Sequence, residues 1–404
     1  SFAAKLIYQA TQKTTIQTSA RLFFQKQFNN YLIYPNPPKL DTVNGSTKEI
    51  DWSLNNQISH RFTDNAKIIG RVYITGYQNN ASVFLQHNNT LYDNAFLHQF
   101  LIKPELQVEF GKKHNQQLIA GVGYNYETVH SSRYASGKII NSFYSFIQKE
   151  WVFNNKLNIT LGARFDKNSL YKAQFNPKLS LAYKPTNRLT FMGSIGSGFK
   201  APDFRQQFLS FSNAVIGYTI LGATELSNSL IKMQQLGQLS VGSNISQYIN
   251  NPQLLPEKSI GINLGARFQA SKKLCLNANF FRNDIKNLIE YYQLDNVQKS
   301  NGSGIYSYKN INKVFTTGFD VNIQYSFNRA FSVSTGYQYL IAKDKDIIEK
   351  IKNKEIYKRD PATYESSTVG LSDYGGLFNR SKHTANFQVF YHNERWQLDI
   401  STRA

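Results

Sequence analysis

Apolar and polar residues alternate with a period of two along most of the chain. From Leu157 the apolar positions are 157, 159, 161, 163 and 165, and polar residues or glycine fill the positions between them. The same alternation recurs from Leu118, from Ile260 and from Phe319. Because successive side chains of a β-strand point to opposite faces, the alternation predicts long strands with one apolar and one polar face.

Short and long connections alternate between these strands. Short polar turns are predicted at Gln12–Thr14, Thr63–Ala66, Gly111–Asn115, Asn154–Lys156, Pro185–Arg188, Ser271–Lys273, Asn328–Ala330 and Asn393–Arg395. Eight hairpins predict about sixteen strands. Short turns at one end and long loops at the other are typical of an outer-membrane barrel, whose long loops are extracellular. We therefore predict one all-β domain over 1–404, a transmembrane antiparallel barrel with long extracellular loops at about 28–47, 78–93, 199–256, 290–310 and 343–379.

The soluble and helical alternatives fit less well. No stretch approaches the 18 apolar residues that a spanning helix needs. A soluble sandwich has strands of about five to six residues, whereas the alternation here often runs for about ten. No repeat of fixed period indicates a propeller. Aromatic residues make up 14% of the chain and gather near the predicted strand ends, as in the girdles of membrane barrels.

The net charge of +20 changes this picture little. Its basic residues are scattered over turns and loops, so no nucleic-acid partner is predicted. Basic loops of this kind could instead contact outer-membrane lipid and the phosphates of lipopolysaccharide. The single Cys275 excludes a disulfide scaffold, and no catalytic motif is present. We expect no enzyme activity, no metal site and no cofactor.

Six short motifs follow one another between residues 146 and 320. They are Phe146–Trp151; Gly162, Arg164 and Asp166; Asn176–Lys178; a first box with Phe199, Lys200, Ala201 and Pro202; a second box with Asn251, Pro252, Leu254, Pro256 and Glu257; and Tyr308–Asn310 with Gly318–Asp320. In this order they resemble the barrel of a TonB-dependent outer-membrane receptor of the ferric siderophore and colicin receptor type. Asn-Pro and Ala-Pro also form turns and strand ends, so a structural role is expected for both boxes.

The resemblance implies a barrel of about 22 strands that is filled by an N-terminal plug. The plug, its TonB box and about six strands are then expected outside this sequence, since its first predicted strand runs toward a short turn and its last runs away from one. Arg164, Asp166 and Asp320 are expected to face the plug. The resemblance also implies the outer membrane of a Gram-negative bacterium, and energy coupling by the TonB–ExbB–ExbD complex through the plug.

The ligand is predicted from the connection at 199–256, which is rich in aromatic and basic residues. Its candidate ligand-binding residues are Phe204, Arg205, Phe208, Phe211, Tyr218 and Tyr248. Cations and aromatic faces suit an anionic iron chelate, so active uptake of a ferric siderophore is the first hypothesis. Haem is an alternative for which His87 and His98 would be the ligands. Cobalamin or oligosaccharide uptake, and a passive porin of sixteen strands, stay open.

Overall fold

The computed structural model describes residues 1–36, 39–111, 116–213, 217–377, 379–393 and 395–404. Its strands are β1 Phe2–Thr11, β2 Thr14–Asn36, β3 Lys39–Thr63, β4 Ala66–Leu85, β5 Leu91–Phe110, β6 Gln116–Ser131, β7 Lys138–Phe153, β8 Leu157–Asn168, β9 Gln174–Thr186, β10 Leu189–Lys200, β11 Ser210–Ser212, β12 Thr219–Leu221, β13 Glu257–Gln269, β14 Leu274–Gln298, β15 Gly304–Ser326, β16 Phe331–Asp344, β17 Tyr357–Arg359, β18 Ser366–Thr368, β19 His383–His392 and β20 Gln397–Arg403. The helices are α1 Phe204–Phe208, α2 Leu226–Gln235, α3 Ser246–Ile249 and α4 Lys345–Lys352.

Sixteen of the strands form one antiparallel meander. Each of β1 to β9 pairs with the next strand in the chain. The order continues through β13, β14, β15, β16, β19 and β20. The predicted fold class and strand number are confirmed. No helix in the described part of the chain is long and apolar enough to cross a membrane.

The two faces of this sheet differ as the alternation predicts. Apolar side chains of the outer face are open to the surroundings: Leu161 is 52% exposed, Leu264 58% and Phe319 41%. Residues of the opposite parity, such as Asp166 and Asp320, form hydrogen bonds on the inner face. An apolar outside and a polar inside are what a lipid-embedded barrel requires.

Six of the eight predicted short turns lie within the described residues, and all six connect neighbouring strands. The turns at Gly111–Asn115 and Asn393–Arg395 lie partly outside them. Asn154 and Asn155 have φ values of 47° and 53°. Positive φ at both central residues is the type I′ geometry, whose twist matches that of the flanking strands, and asparagine tolerates it better than most residues.

Three of the predicted long loops are mostly strand. The ladder between β2 and β3 reaches Asn36 and Lys39, and that between β14 and β15 reaches Gln298 and Gly304. β4 likewise extends to Leu85. The ranges 28–47, 78–93 and 290–310 lack apolar alternation because both faces are wet beyond the membrane, yet the backbone pairing continues there. The connections at 199–256 and 343–379 do contain irregular chain, with α1 to α3 in the first and α4 in the second.

Candidate functional site

The connection between β10 and β13, residues 201–256, folds into a compact insert. Asp203 starts α1 with a reciprocal capping box, in which its carboxylate accepts from the Gln206 backbone and the Gln206 side chain accepts from the Asp203 backbone. Farther along, Leu226 and Leu230 of α2 are 0% and 1% exposed. They pack in one cluster with residues of α3 and of the β14–β15 extension. The insert and the β14–β15 extension therefore share one hydrophobic core.

The insert contacts two distant parts of the barrel. On one side β12 pairs in parallel with β15. On the other side Phe204 and Phe208 pack against Val129 of β6, and the Lys138 ammonium of β7 lies 2.9 Å from the Glu225 carboxylate. Strands β7 and β15 are separated in the sheet by β8, β9, β10, β13 and β14. The insert therefore bridges the barrel mouth.

An aromatic cluster lies where the insert meets the β14–β15 extension. We define it by successive ring contacts, with centroid distances of 6.3, 6.1, 4.9 and 5.9 Å, through Phe211, Tyr218, Tyr306, Tyr291 and Tyr308. Tyr291 and Tyr306 are parallel within 4°. Tyr291 is 44% exposed, so the cluster presents ring surface and hydroxyl groups to a ligand.

Two arginines border this cluster. The Arg133 guanidinium lies 4.2 Å from the Phe211 ring centre. Arg205 is exposed, and its charge acts on both Tyr134 and Tyr308. Neither arginine forms an ion pair with any residue that the structure describes. The Asp203 carboxylate also acts on Tyr134 and Tyr308, but it forms no ion pair with either arginine, so two guanidinium groups face one carboxylate at the site.

Burial favours the neutral form of two tyrosines in the cluster, Tyr291 and Tyr308. Burial raises the pKa of Tyr291 to about 12. Burial also raises the pKa of Tyr308 above its ordinary value, although the nearby Arg205 charge opposes that rise. The hydroxyl groups can thus donate hydrogen bonds to an anionic ligand while the rings provide apolar contact.

The predicted ligand-binding residues separate into two groups. Arg205, Phe211 and Tyr218 lie at the aromatic cluster. Phe204, Phe208 and Tyr248 are only 6%, 7% and 7% exposed and pack in the interior of the insert. The Tyr248 hydroxyl also accepts a hydrogen bond of 2.8 Å from the Asp295 backbone nitrogen. The structure thus gives these three residues packing contacts, and their surfaces are closed to a ligand.

The two boxes meet at the base of the insert. The Lys200 ammonium lies 3.0 Å from the Glu257 carboxylate, which also accepts from the Ile289 backbone nitrogen at 3.2 Å. The Asn251 amide donates to the Ala223 carbonyl at 3.0 Å, and Leu254 is buried beside Ala223. Phe199 contacts the Tyr171 ring at 6.0 Å. These contacts fasten both ends of the insert to the barrel.

The residues expected to face a plug lie in polar networks on the inner face. The Arg164 guanidinium donates to Asp166 at 2.7 Å and covers the Tyr144 ring at 4.1 Å. The Tyr144 hydroxyl in turn donates to Glu105 at 2.8 Å. On the other side of the barrel, Asp320 accepts from Asn279 and Gln338. Their facing a plug stays a prediction.

Sequence reasoning missed several residues of the site. They are Arg133, Tyr134, Tyr291, Tyr306 and Tyr308. Tyrosines at 291, 292, 306 and 308 form a dense group in the sequence, and this group was the available signal. The described residues contain no group of three or more His, Cys, Asp or Glu side chains placed to hold a metal ion.

Comparison with known proteins decides the family. The family described as TonB dependent receptor-like, beta-barrel matches residues 6–404. The chain belongs to the TonB-dependent receptor family. It is thus a β-barrel of the Gram-negative outer membrane, in a family of receptors that depend on TonB.

Of two relatives of this TonB-dependent receptor barrel, one is named for haem and hemopexin and the other for its regulation by iron. It is 28% identical over 220 residues to the Heme/hemopexin utilization protein C of Haemophilus influenzae, covering 50% of this chain and 28% of that protein. It is 23% identical over 205 residues to the iron-regulated outer membrane virulence protein of Vibrio cholerae, covering 50% of this chain and 27% of that protein. The matched region is thus under a third of either relative.

A solved structure shares the fold. The siderophore receptor PirA of Acinetobacter baumannii superposes with a TM-score of 0.60 at 15% identity. The superposition covers 99% of this chain and 57% of PirA. The chain therefore spans little more than half of that receptor.

Proposed function

We propose that this TonB-dependent receptor takes up a ferric siderophore across the outer membrane. The observation that carries the proposal is the aromatic cluster at the barrel mouth, bordered by Arg133 and Arg205, neither of which forms an ion pair with a described residue. Ferric chelates of the catecholate type are anionic and have aromatic rings. Arginine and tyrosine side chains match both properties by charge-assisted hydrogen bonding and ring contact.

The geometry supports capture at the outer face followed by movement through the barrel. The ligand would lie against Tyr291 and Tyr306, with its negative charge toward Arg205. We infer that the TonB–ExbB–ExbD complex then acts through a plug that contacts the inner-face networks of Arg164 and Asp320. The barrel supplies binding and a polar path, and no bond in the ligand is broken. Family membership favours this gated uptake over a passive porin.

Haem is the second candidate, because of the Haemophilus influenzae relatives named for haem and hemopexin. The described histidines do not favour it. His87 is held by Asp41 at 2.7 Å, and His98 pairs in register with His130 on the outward parity of β5 and β6. No described histidine contacts the aromatic cluster. If haem is the ligand, a tyrosine of the aromatic cluster would have to bind its iron.

A transport assay with the full-length receptor separates these ligands. Cells whose only receptor is this protein are given iron-55 as a ferric catecholate, iron-55 haem or radiolabelled cobalamin, with and without TonB. The proposal predicts saturable, TonB-dependent uptake of the ferric catecholate. Saturable uptake of haem or cobalamin without uptake of the ferric catecholate would contradict it.

A further inference from the structure

Three lysines stand side by side on the outer face of the barrel, near the end that carries the long insert. Lys258 of β13 pairs in register with Lys286 of β14, and Lys286 pairs with Lys313 of β15. We call Lys258, Lys286 and Lys313 the lysine row. Neighbouring strands are about 4.8 Å apart, so the three side chains leave the sheet close together.

The alternation along each strand shows that the lysine row points outward. Residues an even number of positions apart on one strand have the same parity and face the same side of the sheet. Ile260 and Leu264 have the same parity as Lys258 and are 54% and 58% exposed. Phe280 has the parity of Lys286, and Phe319 that of Lys313; they are 47% and 41% exposed. The pairing from these residues to the lysines is continuous, without a bulge that would exchange the faces. The lysine row therefore continues the lipid-facing surface.

Its height places the lysine row at the membrane boundary. Lys286 follows Leu274, the first residue of β14 after a short turn, by twelve positions. With about 3.3 Å per residue and a strand tilt of about 40°, that distance is roughly 30 Å along the barrel axis. The apolar band of such barrels is about 25 Å tall. The ammonium groups thus lie just beyond the acyl chains, at the level of lipid headgroups on the long-loop side.

No residue in the described part of the chain supplies a counter-ion for the lysine row. The three lysines are exposed and form no ion pair with the described residues. Asp284 lies two positions before Lys286 on β14 and faces the same side. Its carboxylate already forms ion pairs with Arg282 at 2.8 Å and with Lys345 at 2.7 Å. Like charges directly opposite each other on paired strands destabilise a sheet. An external anion that lies across the row would offset this repulsion.

We propose that the lysine row binds the phosphate groups of a phosphorylated glycolipid of the outer leaflet. The lipid's acyl chains would lie along the apolar surface of Ile260, Phe280 and Phe319, and its phosphates would bridge the three ammonium groups. Two observations favour this lipid. Its phosphates are opposite in charge to the three ammonium groups, and they lie at the headgroup level of the leaflet that faces the long loops. The site is on the opposite face of the barrel wall from the proposed uptake route, so it is independent of the transported ligand.

Binding of defined lipids to the purified, delipidated full-length receptor tests this proposal. The variant Lys258→Gln, Lys286→Gln, Lys313→Gln is compared with Lys13→Gln, Lys184→Gln, Lys272→Gln, which removes the same charge from exposed lysines at the short-turn end. Each lysine near an anionic surface contributes about fivefold to affinity, so the lysine-row variant should bind bis-phosphorylated lipid A roughly 100-fold more weakly. The control variant should bind it as the wild type does.

Three results of that titration would overturn the proposal. They are equal affinity of both variants, equal affinity of the wild type for dephosphorylated lipid A, and binding of inorganic phosphate as tight as that of lipid A. The last result would assign the row to a free anion and not to a lipid.

The midpoint of thermal unfolding in lipid-free detergent is a second measurement. A folding defect would lower this midpoint, whereas the proposal predicts that it rises. Removing three repelling charges should raise the midpoint of the lysine-row variant above that of the wild type. Adding lipid A should raise the wild-type midpoint and leave that of the variant unchanged. A midpoint of the lipid-free variant equal to or below the wild-type value would also overturn the proposal.

Discussion

Glu257 joins three segments that are far apart in the sequence. Its carboxylate holds Lys200 at the end of β10 and the Ile289 backbone nitrogen where the β14 extension begins. The Lys200 side chain is 59% exposed, whereas that of Glu257 is 12% exposed. An exposed ion pair contributes little to stability, but a buried donor that loses its acceptor costs about 1–3 kcal/mol. The backbone contact is therefore the more important of the two.

Two substitutions at residue 257 should therefore differ in their effect on hydrogen exchange at Ile289. Glu257→Gln keeps an oxygen for the Ile289 nitrogen and should leave hydrogen exchange at Ile289 nearly unchanged. Glu257→Ala removes the acceptor and should speed that exchange by about tenfold or more. Amide exchange of the full-length receptor, followed by mass spectrometry, measures both. Equal acceleration in the two variants would show that the ion pair with Lys200 matters more.

Gly123 makes room for an aromatic ring on the inner face. A Cβ atom at this position would fall inside the Tyr144 ring, whereas a Cβ atom at Gly70 would meet nothing within 4 Å. Tyr144 is 1% exposed and joins Glu105 to Arg164. The ring therefore covers the glycine and fixes the polar network on this wall.

Gly123→Ala should displace Tyr144 and lower the free energy of unfolding by about 1–3 kcal/mol, the cost of overpacking a well-filled site. Gly70→Ala is the matched control and should be neutral or slightly stabilising, because alanine has less freedom than glycine in the unfolded chain. Urea unfolding of the receptor in lipid vesicles measures both. A Gly123→Ala protein as stable as the control would mean that the ring has another rotamer available.

The insert of residues 201–256 packs its helices on the β14–β15 extension, above the membrane-spanning part of the strands, so its stability can be changed without opening the barrel. Leu230→Ala in α2 removes a side chain that is 1% exposed and should cost the insert about 2–5 kcal/mol. Leu236→Ala, at a position 59% exposed just after the same helix, is the control and should have little effect. Limited proteolysis should cut the first variant within 201–256 while the barrel keeps its folded gel mobility. Cleavage of both variants at the wild-type rate would contradict a role of this core in holding the insert together.

Prediction from sequence worked best for elements in contact with lipid. There each strand has one apolar face, so Leu157, Ile260 and Phe319 could all be assigned to an outer surface from their spacing. It worked least well above the membrane, where β2, β3, β14 and β15 continue with water on both faces. Backbone hydrogen bonds hold those extensions together. These bonds do not depend on which side chains are apolar, so the apolar pattern does not predict them.

At the scale of the whole molecule, the candidate site depends on contacts between remote parts of the chain. Arg133 meets Phe211, and Tyr218 meets Tyr306, only because the insert bridges the barrel mouth. Composition indicated an aromatic and basic connection at 199–256, but it did not distinguish Phe204 and Phe208, which pack inside, from Phe211, which borders the site. Burial is a property of the folded barrel, so this division could not be predicted from local sequence.

The barrel wall also separates two functions in space. The proposed uptake site lies at the mouth, and the lysine row lies on the outer surface at the lipid boundary. A change to the lysine row should therefore leave ligand affinity in detergent unchanged, while a change at the mouth should leave lipid binding unchanged.

The most direct test of the uptake proposal is the dissociation constant of a ferric catecholate for the full-length receptor with Arg205→Gln, beside the wild type and Lys232→Gln. Lys232 is an exposed lysine on α2 of the same insert, so its variant matches the charge change. Loss of a charge-assisted hydrogen bond should weaken binding by Arg205→Gln about tenfold to a hundredfold, and Lys232→Gln should bind as the wild type does. Equal affinities of all three proteins would contradict a ligand site at the aromatic cluster.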